Sequence, residues 1–247
     1  MSSTATASGP SPQAFGTFPW ATSKPLRAAI TPNTCAFLLE PIQGEAGILI
    51  PPAGYLQHVA AICRENNVLL VLDEIQSGLG RTGKLFAYQH EGITPDVVII
   101  GKALSGGYYP VSAVLASREV LGVFRPGDHG STFGGNPLAC AVARAALRVI
   151  IDEDLPARSA ELGSYALSRL QQMNASIIRE VRGKGLWLAI ELNGPARPLC
   201  EALKDRGILC KETHTTVIRL APPLIIEKTD LTWALDQIEA VLTQHSE

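Results

Sequence analysis

Five apolar residues, Val68-Leu69-Leu70-Val71-Leu72, run straight into Asp73-Glu74, then Gln76 and the glycine-rich stretch "SGLGRTG". An unbroken apolar run of this length reads as a strand covered on both faces, as in the parallel sheets of α/β proteins. A carboxylate at the end of such a strand must meet a cation or hydrogen-bond donors, because burying it alone is strongly unfavourable. The carboxyl ends of parallel strands are also where α/β sheets bind ligands. This junction therefore constrains both the architecture and the place where chemistry can occur.

The flanking sequence continues the pattern. "CAFLLE" (35–40) reads as a buried strand, and residues 54–65 carry Leu56, Val59, Ala60 and Cys63 at helical spacing. "DVVIIG" (96–101) and "SAVLAS" (112–117) supply two further strands. Asn136 is a good N-cap and Pro137 suits a first helical turn, so a long, mostly buried helix is expected up to about residue 151. Beyond residue 152 the pattern changes to a helix over 157–173, a strand pair within 177–192, a helix over 196–206, a short strand at "VIRLAP" and a final helix over 228–244. Alternating strands and helices predict an α/β fold with a mainly parallel sheet up to 152 and a smaller α/β domain over 153–247.

Composition excludes several function classes. A net charge of −2 gives no electrostatic footprint for nucleic acid or an anionic membrane surface. No apolar run approaches the ~20 residues of a membrane-spanning helix. The five cysteines are odd in number, form no CxxC pair and sit in apolar stretches, which reads as reduced, buried thiols of a cytoplasmic setting, or of the mitochondrial matrix in a eukaryote. The scattered histidines suggest no metal site. The first 24 residues lack the arginines of a transit peptide and the apolar core of a signal peptide, and residues 1–30 read as an irregular segment.

Lys102 stands just past the strand "DVVIIG", so a lysine and Asp73 meet at two strand ends. Two readings fit these residues: a structural ion pair, or a catalytic pair. The "ALSGG" turn after Lys102 leaves room for a group close to the backbone. A lysine desolvated there loses its proton readily and can form a Schiff base. The aldehyde cofactor that uses this chemistry is pyridoxal 5′-phosphate, which needs a carboxylate for its ring nitrogen and donors for its phosphate. On this reading Asp73 keeps the ring nitrogen protonated and Gln76 donates to the phenolic oxygen.

The motifs "EPIQGEAG" (40–47), "DEIQSGLGRTG" (73–83), "GKALSGGYYPVSAV" (101–114), "HGSTFGGNPLACAVA" (129–143) and "VRGKGL" (181–186) resemble those of the class III pyridoxal-phosphate-dependent aminotransferases. "CKETHTTVIRLAPPL" (210–224) and "ARPLCEAL" (196–203) look most like the ornithine aminotransferases of that family. The resemblance implies the type I fold of pyridoxal-phosphate-dependent transferases. It also implies transfer of the δ-amino group of ornithine to 2-oxoglutarate, giving glutamate semialdehyde and glutamate. Carried over by position, Lys102 matches the Schiff-base lysine, Asp73 the partner of the ring nitrogen and Gln76 the neighbour of the phenolic oxygen. Thr132 matches the threonine that reaches the cofactor phosphate of the neighbouring subunit in a homodimer. Glu45 and Arg219 match a pair in which the arginine holds a substrate carboxylate and the glutamate masks it when ornithine is bound; the competing reading is a fixed inter-domain salt bridge. Arg81 reads as a structural turn residue, Glu40 as a backbone-bonded buried carboxylate or a site-lining one, and Trp20, Tyr108, Tyr109 and His129 as core or dimer packing.

The resemblance begins near residue 31, and the family's upstream phosphate loop, ring-stacking aromatic and second substrate arginine have no counterpart here. The chain therefore reads as starting mid-domain, a weakly active or inactive version of the enzyme. The alternative is a non-catalytic remnant, or an interaction partner of a full-length subunit.

Overall fold

The computed structural model describes residues 24–246 of the chain. The first sheet contains β1 (Ala36–Leu39), β2 (Leu69–Asp73), β3 (Val97–Ile100) and β4 (Ala113–Ala116), in that order. β1, β2 and β3 are parallel, as expected, whereas β4 runs antiparallel to β3. The reversal follows from the connection: a parallel return needs a crossover, usually a helix, and the segment between β3 and β4 holds only the 3-10 turn Lys102–Ser105.

Alternation along β2 sorts its side chains. Leu70 and Leu72 are buried with Leu56, Val59 and Cys63 of α2 (Tyr55–Glu65) and with Leu39 of β1. Leu69, Val71 and Asp73 point to the opposite face, which is only half covered. Leu38 pairs with Val71 and is 59% exposed, and Val114 is 50% exposed, so the expected cover on both faces is incomplete among the described residues. Asp73 thus faces an open surface, while Glu74, whose N–H extends the ladder to the Ile99 carbonyl, turns inward and is fully buried.

Before the sheet comes α1 (Lys24–Ala29), so the irregular segment expected over 1–30 ends in a short helix; Trp20 lies outside the described residues. After β4 come the single turn α3 (Arg118–Leu121) and the long α4 (Pro137–Asp152), whose N-cap Asn136 accepts from the Ala139 N–H at 2.9 Å. α4 is less buried than its composition suggests. Ala139, Ala143 and Ile150 face the core, whereas Leu138 and Ile151 are exposed.

The second sheet has the order β5 (Ile178–Gly183), β6 (Leu188–Leu192), β8 (Val217–Leu220) and β7 (Lys211–Thr213), with every neighbour antiparallel. β7 was not foreseen from the sequence, because its three residues are too few to show a period. α5 (Leu155–Gln171), α6 (Arg197–Asp205) and α7 (Lys228–Gln244) pack on this sheet around Ala166, Leu170, Leu188, Ile190, Leu203, Ile218, Leu235 and Leu242.

The two sheets are joined by a tight polar and steric contact. Arg81 is half-buried and donates to the carbonyls of Leu186 at 2.8 Å and Pro222 at 2.7 Å, in keeping with the structural role read for it. The Ser159 hydroxyl donates to the Arg81 carbonyl and accepts from the Leu186 N–H, each at 3.0 Å. A Cβ on Gly163 would lie 2.1 Å from the carbonyl carbon and oxygen of Gly185, whose own φ is +57°. Neither backbone can yield, so glycine is required at both positions.

Gly163 lies within α5, where alanine would ordinarily favour the helix by about 1 kcal/mol. Gly163→Ala should instead destabilise the chain by about 1–3 kcal/mol through overpacking. A fall in the urea midpoint checks this; an unchanged or raised midpoint would show that the contact is soft.

Candidate active site

Side chains from three separated stretches converge at the carboxyl ends of β2 and β3. The first is the turn that follows β1. The Gly44 N–H donates to Glu40 at 3.0 Å, and Gln43 and Leu49 exchange backbone bonds that close the turn. A Cβ on Gly44 would stand 2.7 Å from the Trp187 ring and 3.0 Å from the Gln76 amide, so glycine here lets both pack against the turn. Arg182 donates to the carbonyls of Gly47 and Ile48, and the Thr213 hydroxyl donates to the Glu45 carbonyl. The main chain of Glu45 is therefore pinned to the second sheet while its carboxylate stays 60% exposed.

The second stretch follows β2. Asp73 accepts from the Ile75 N–H at 3.0 Å, a local turn that aims the next residues across the strand ends. Glu74 accepts from the Ser77 hydroxyl at 2.6 Å and the Tyr88 N–H at 2.9 Å. Burial nevertheless holds its carboxyl above the ordinary carboxylate range, and these donors offset part of that rise. Glu74 was not singled out from the sequence, although a serine three residues on was a usable signal. Glu40 is likewise raised, first by burial, with Asp73 and Glu45 adding negative charge nearby; its bond to Gly44 supports the structural reading.

Lys102 opens the third stretch, directly beyond β3. Its φ is +49°, the left-handed region that costs a non-glycine residue about 1–3 kcal/mol and that gathers at functional sites. The Ser105 hydroxyl donates to the Lys102 carbonyl at 3.1 Å and accepts from the Gly107 N–H, which holds the strained turn. The Lys102 ammonium donates to Gln76 Oε1 at 3.1 Å. Its pKa is pushed down, first by partial burial and then by the positive charge of Arg219, with Glu45 opposing. Lys102 and Asp73 do stand at neighbouring strand ends, but no ion pair joins them among the described residues.

Gln76 links the two groups foreseen separately. Its Oε1 takes the Lys102 ammonium, and its Nε2 points at Glu45 Oε1 at 3.4 Å. Arg219 NH1 donates to the same Glu45 oxygen at 2.7 Å, and Lys211 Nζ lies 3.5 Å from the other. Lys211 went unnoticed in the sequence because its strand did. The structure thus brings together Lys102, Gln76, Glu45 and Arg219. Thr132 is exposed in the segment before α4 and makes no hydrogen bond to this group among the described residues. Tyr108 is 89% exposed, which removes it from the core, while His129 packs edge-on against Phe124. Cys63 and Cys200 are buried as expected, whereas Cys35 and Cys140 are exposed.

Comparison with known proteins places this arrangement. Residues 20–242 match the family model for aminotransferase class-III. Ornithine aminotransferase of Bacillus subtilis (strain 168) is 60% identical over 234 residues, which cover 95% of this chain and 58% of that protein. The chain therefore spans about three-fifths of the length of the curated relatives it matches. Among solved structures, an ornithine aminotransferase from Plasmodium yoelii superposes with a TM-score of 0.90 at 45% identity, covering 92% of this chain and 62% of that one. An acetylornithine aminotransferase from Elizabethkingia anophelis gives 0.89 at 47% identity, covering 92% and 59%. The α/β architecture is thus a part of the fold of these enzymes.

Arg219 holds the Glu45 carboxyl down at about 2, first through its hydrogen bond and then through its charge, with smaller help from Lys211 and Gln76. A depressed carboxyl keeps its ion pair above the ordinary carboxylate range and loses it only as pH falls toward that value. In ¹³C NMR titrations the Glu45 carboxyl should remain ionised at pH 4. In Arg219→Gln its midpoint should return toward the ordinary 4.5. A midpoint unmoved by the substitution would mean that the arginine does not control this carboxylate.

Proposed function

The chain belongs to the class-III aminotransferases, and from that premise we propose that it carries the site of an ornithine aminotransferase, passing the δ-amino group of ornithine to 2-oxoglutarate. One observation carries this reading: a lysine in strained backbone is joined by a single amide to an exposed glutamate that pairs with an arginine.

The side chains suit pyridoxal phosphate by their chemistry, since they combine an amine of lowered basicity, a carboxylate on an open face that pairs with no cation among the described residues, and an amide bonded to the amine. Lys102 would hold the cofactor's carbonyl carbon, Asp73 its ring nitrogen and Gln76 its phenolic oxygen. When bound, the cofactor supplies an electron-accepting ring and the carbonyl that exchanges for an amino group. The chain's own residues do the rest. Lys102 Nζ, less basic than an ordinary lysine, can take a proton from the substrate carbon and return it. Arg219 is 14% exposed and offers two parallel N–H donors to a carboxylate. With Glu45 on it, the site presents less positive charge and favours a substrate whose reacting end is an amine. With Glu45 displaced, it admits a second carboxylate. One pocket thereby serves a diamino acid and a dicarboxylate in turn.

The exposure of Thr132 supports its use by a neighbouring subunit, as in a homodimer, where it would donate to the partner's cofactor phosphate. The free thiols support a reducing, cytoplasmic setting.

Treating the purified chain with pyridoxal phosphate and then borohydride should fix the cofactor on the peptide that contains Lys102, as read by mass spectrometry. Lys102→Ala should lose the label together with any ornithine-dependent consumption of 2-oxoglutarate. Label on another lysine, with Lys102 unmodified, would overturn the assignment.

A further inference from the structure

Two cations face each other across the strand pair beside the site. β7 and β8 place Lys211 directly opposite Arg219, on the same side of the sheet. Like charges in this relation repel unless an anion lies between them. Glu45 is that anion: Arg219 holds Oε1 at 2.7 Å, and Lys211 stands 3.5 Å from Oε2. Two residues further along β7, on the same face, Thr213 holds the main-chain carbonyl of Glu45. The backbone of Glu45 is therefore anchored to the strand that carries Lys211, and its carboxylate can pass from one cation to the other by side-chain rotation alone. Lys211 is 63% exposed and its ammonium has room to follow.

We propose that Lys211 is a specificity-setting residue that receives the Glu45 carboxylate when a dicarboxylate substrate displaces it from Arg219. The proposal rests on the masking role of Glu45 given above and adds the open state of the gate. In the closed state Glu45 is shared, with Arg219 the nearer partner. In the open state the substrate neutralises Arg219 and Glu45 pairs with Lys211 alone, so the displaced glutamate does not repel the incoming anion unopposed. Lys211 thus lowers the cost of opening and eases entry of the dicarboxylate, while entry of the diamino acid, which leaves the gate closed, is indifferent to it.

Glutarate, a dicarboxylate without a reactive carbonyl, separates binding from turnover. Its affinity is measured by titration calorimetry for the unmodified chain and for Lys211→Met, Lys211→Arg, Glu45→Gln and the Glu45→Gln/Lys211→Met double variant, with circular dichroism confirming that each is folded. Lys211→Met should weaken glutarate about two- to five-fold, the scale of one exposed ion pair. Lys211→Arg should restore it, and Glu45→Gln should tighten it. In the Glu45→Gln background the Lys211→Met effect should vanish, because no displaced carboxylate remains to be received. Equal weakening in both backgrounds would mean that Lys211 acts on the ligand directly and would overturn the proposal, as would no weakening in either. Failure of Glu45→Gln to tighten glutarate, or to bind it at all, would instead overturn the masking role itself.

Discussion

The site depends on the buried contact between the two sheets. Lys102, Asp73 and Gln76 lie at the ends of one sheet, while Arg219 and Lys211 lie on the other. Their distances mean something only while the sheets hold one relative position. Arg81 fixes that position with two carbonyl contacts, and Ser159 closes the loop back onto the Arg81 carbonyl. Burial pulls the guanidinium of Arg81 down to about 10, yet it stays protonated at neutral pH and keeps both carbonyls satisfied. Gly163 and Gly185 add a steric stop, since backbone meets backbone there with no side chain to adjust. A polar clamp set against a rigid contact holds the side chains of the two sheets in one fixed relation.

Charge at the site is arranged as a relay of partial neutralisation. Arg219 and Lys211 both depress the proton affinity of Lys102, and Glu45 opposes them. The pairing of Glu45 with Arg219 therefore also bears on how readily Lys102 gives up its proton. Gln76 makes this coupling physical, because its amide touches the lysine with one end and the glutamate with the other. Neighbouring Asp73 and Glu74 show the same economy in their opposite fates. One is left on an open face, where it accepts from the Ile75 N–H. The other is sealed inside, held by Ser77 and Tyr88.

Much of this was legible in the residues. The apolar runs located β1, β2, β3 and β4, helical spacing located α2 and α7, and Asn136 with Pro137 marked the start of α4. The motifs named four of the side chains that meet at the site: Lys102, Gln76, Glu45 and Arg219. The misses have a common cause. The direction of β4 depends on what its connection can span, and the exposure of α4 and of Leu38 depends on what lies over them. β7 is three residues long and defined by its partner alone, so Lys211 was invisible as a neighbour of Arg219 until the pairing was seen.

The sequence by itself determined which segments become strands and helices, and which residue types stand at the strand ends, because periodicity and capping act within a few residues of chain. The tertiary structure alone decided that Asp73 faces outward while Glu74 is buried, and that Gln76 bridges Lys102 to Glu45. It alone decided that Glu45 lies between two cations 166 and 174 positions away. The reason is physical: a charge contact across that separation exists only through the docking of two sheets, and that docking depends on close packing summed over the whole interface, which no local pattern encodes.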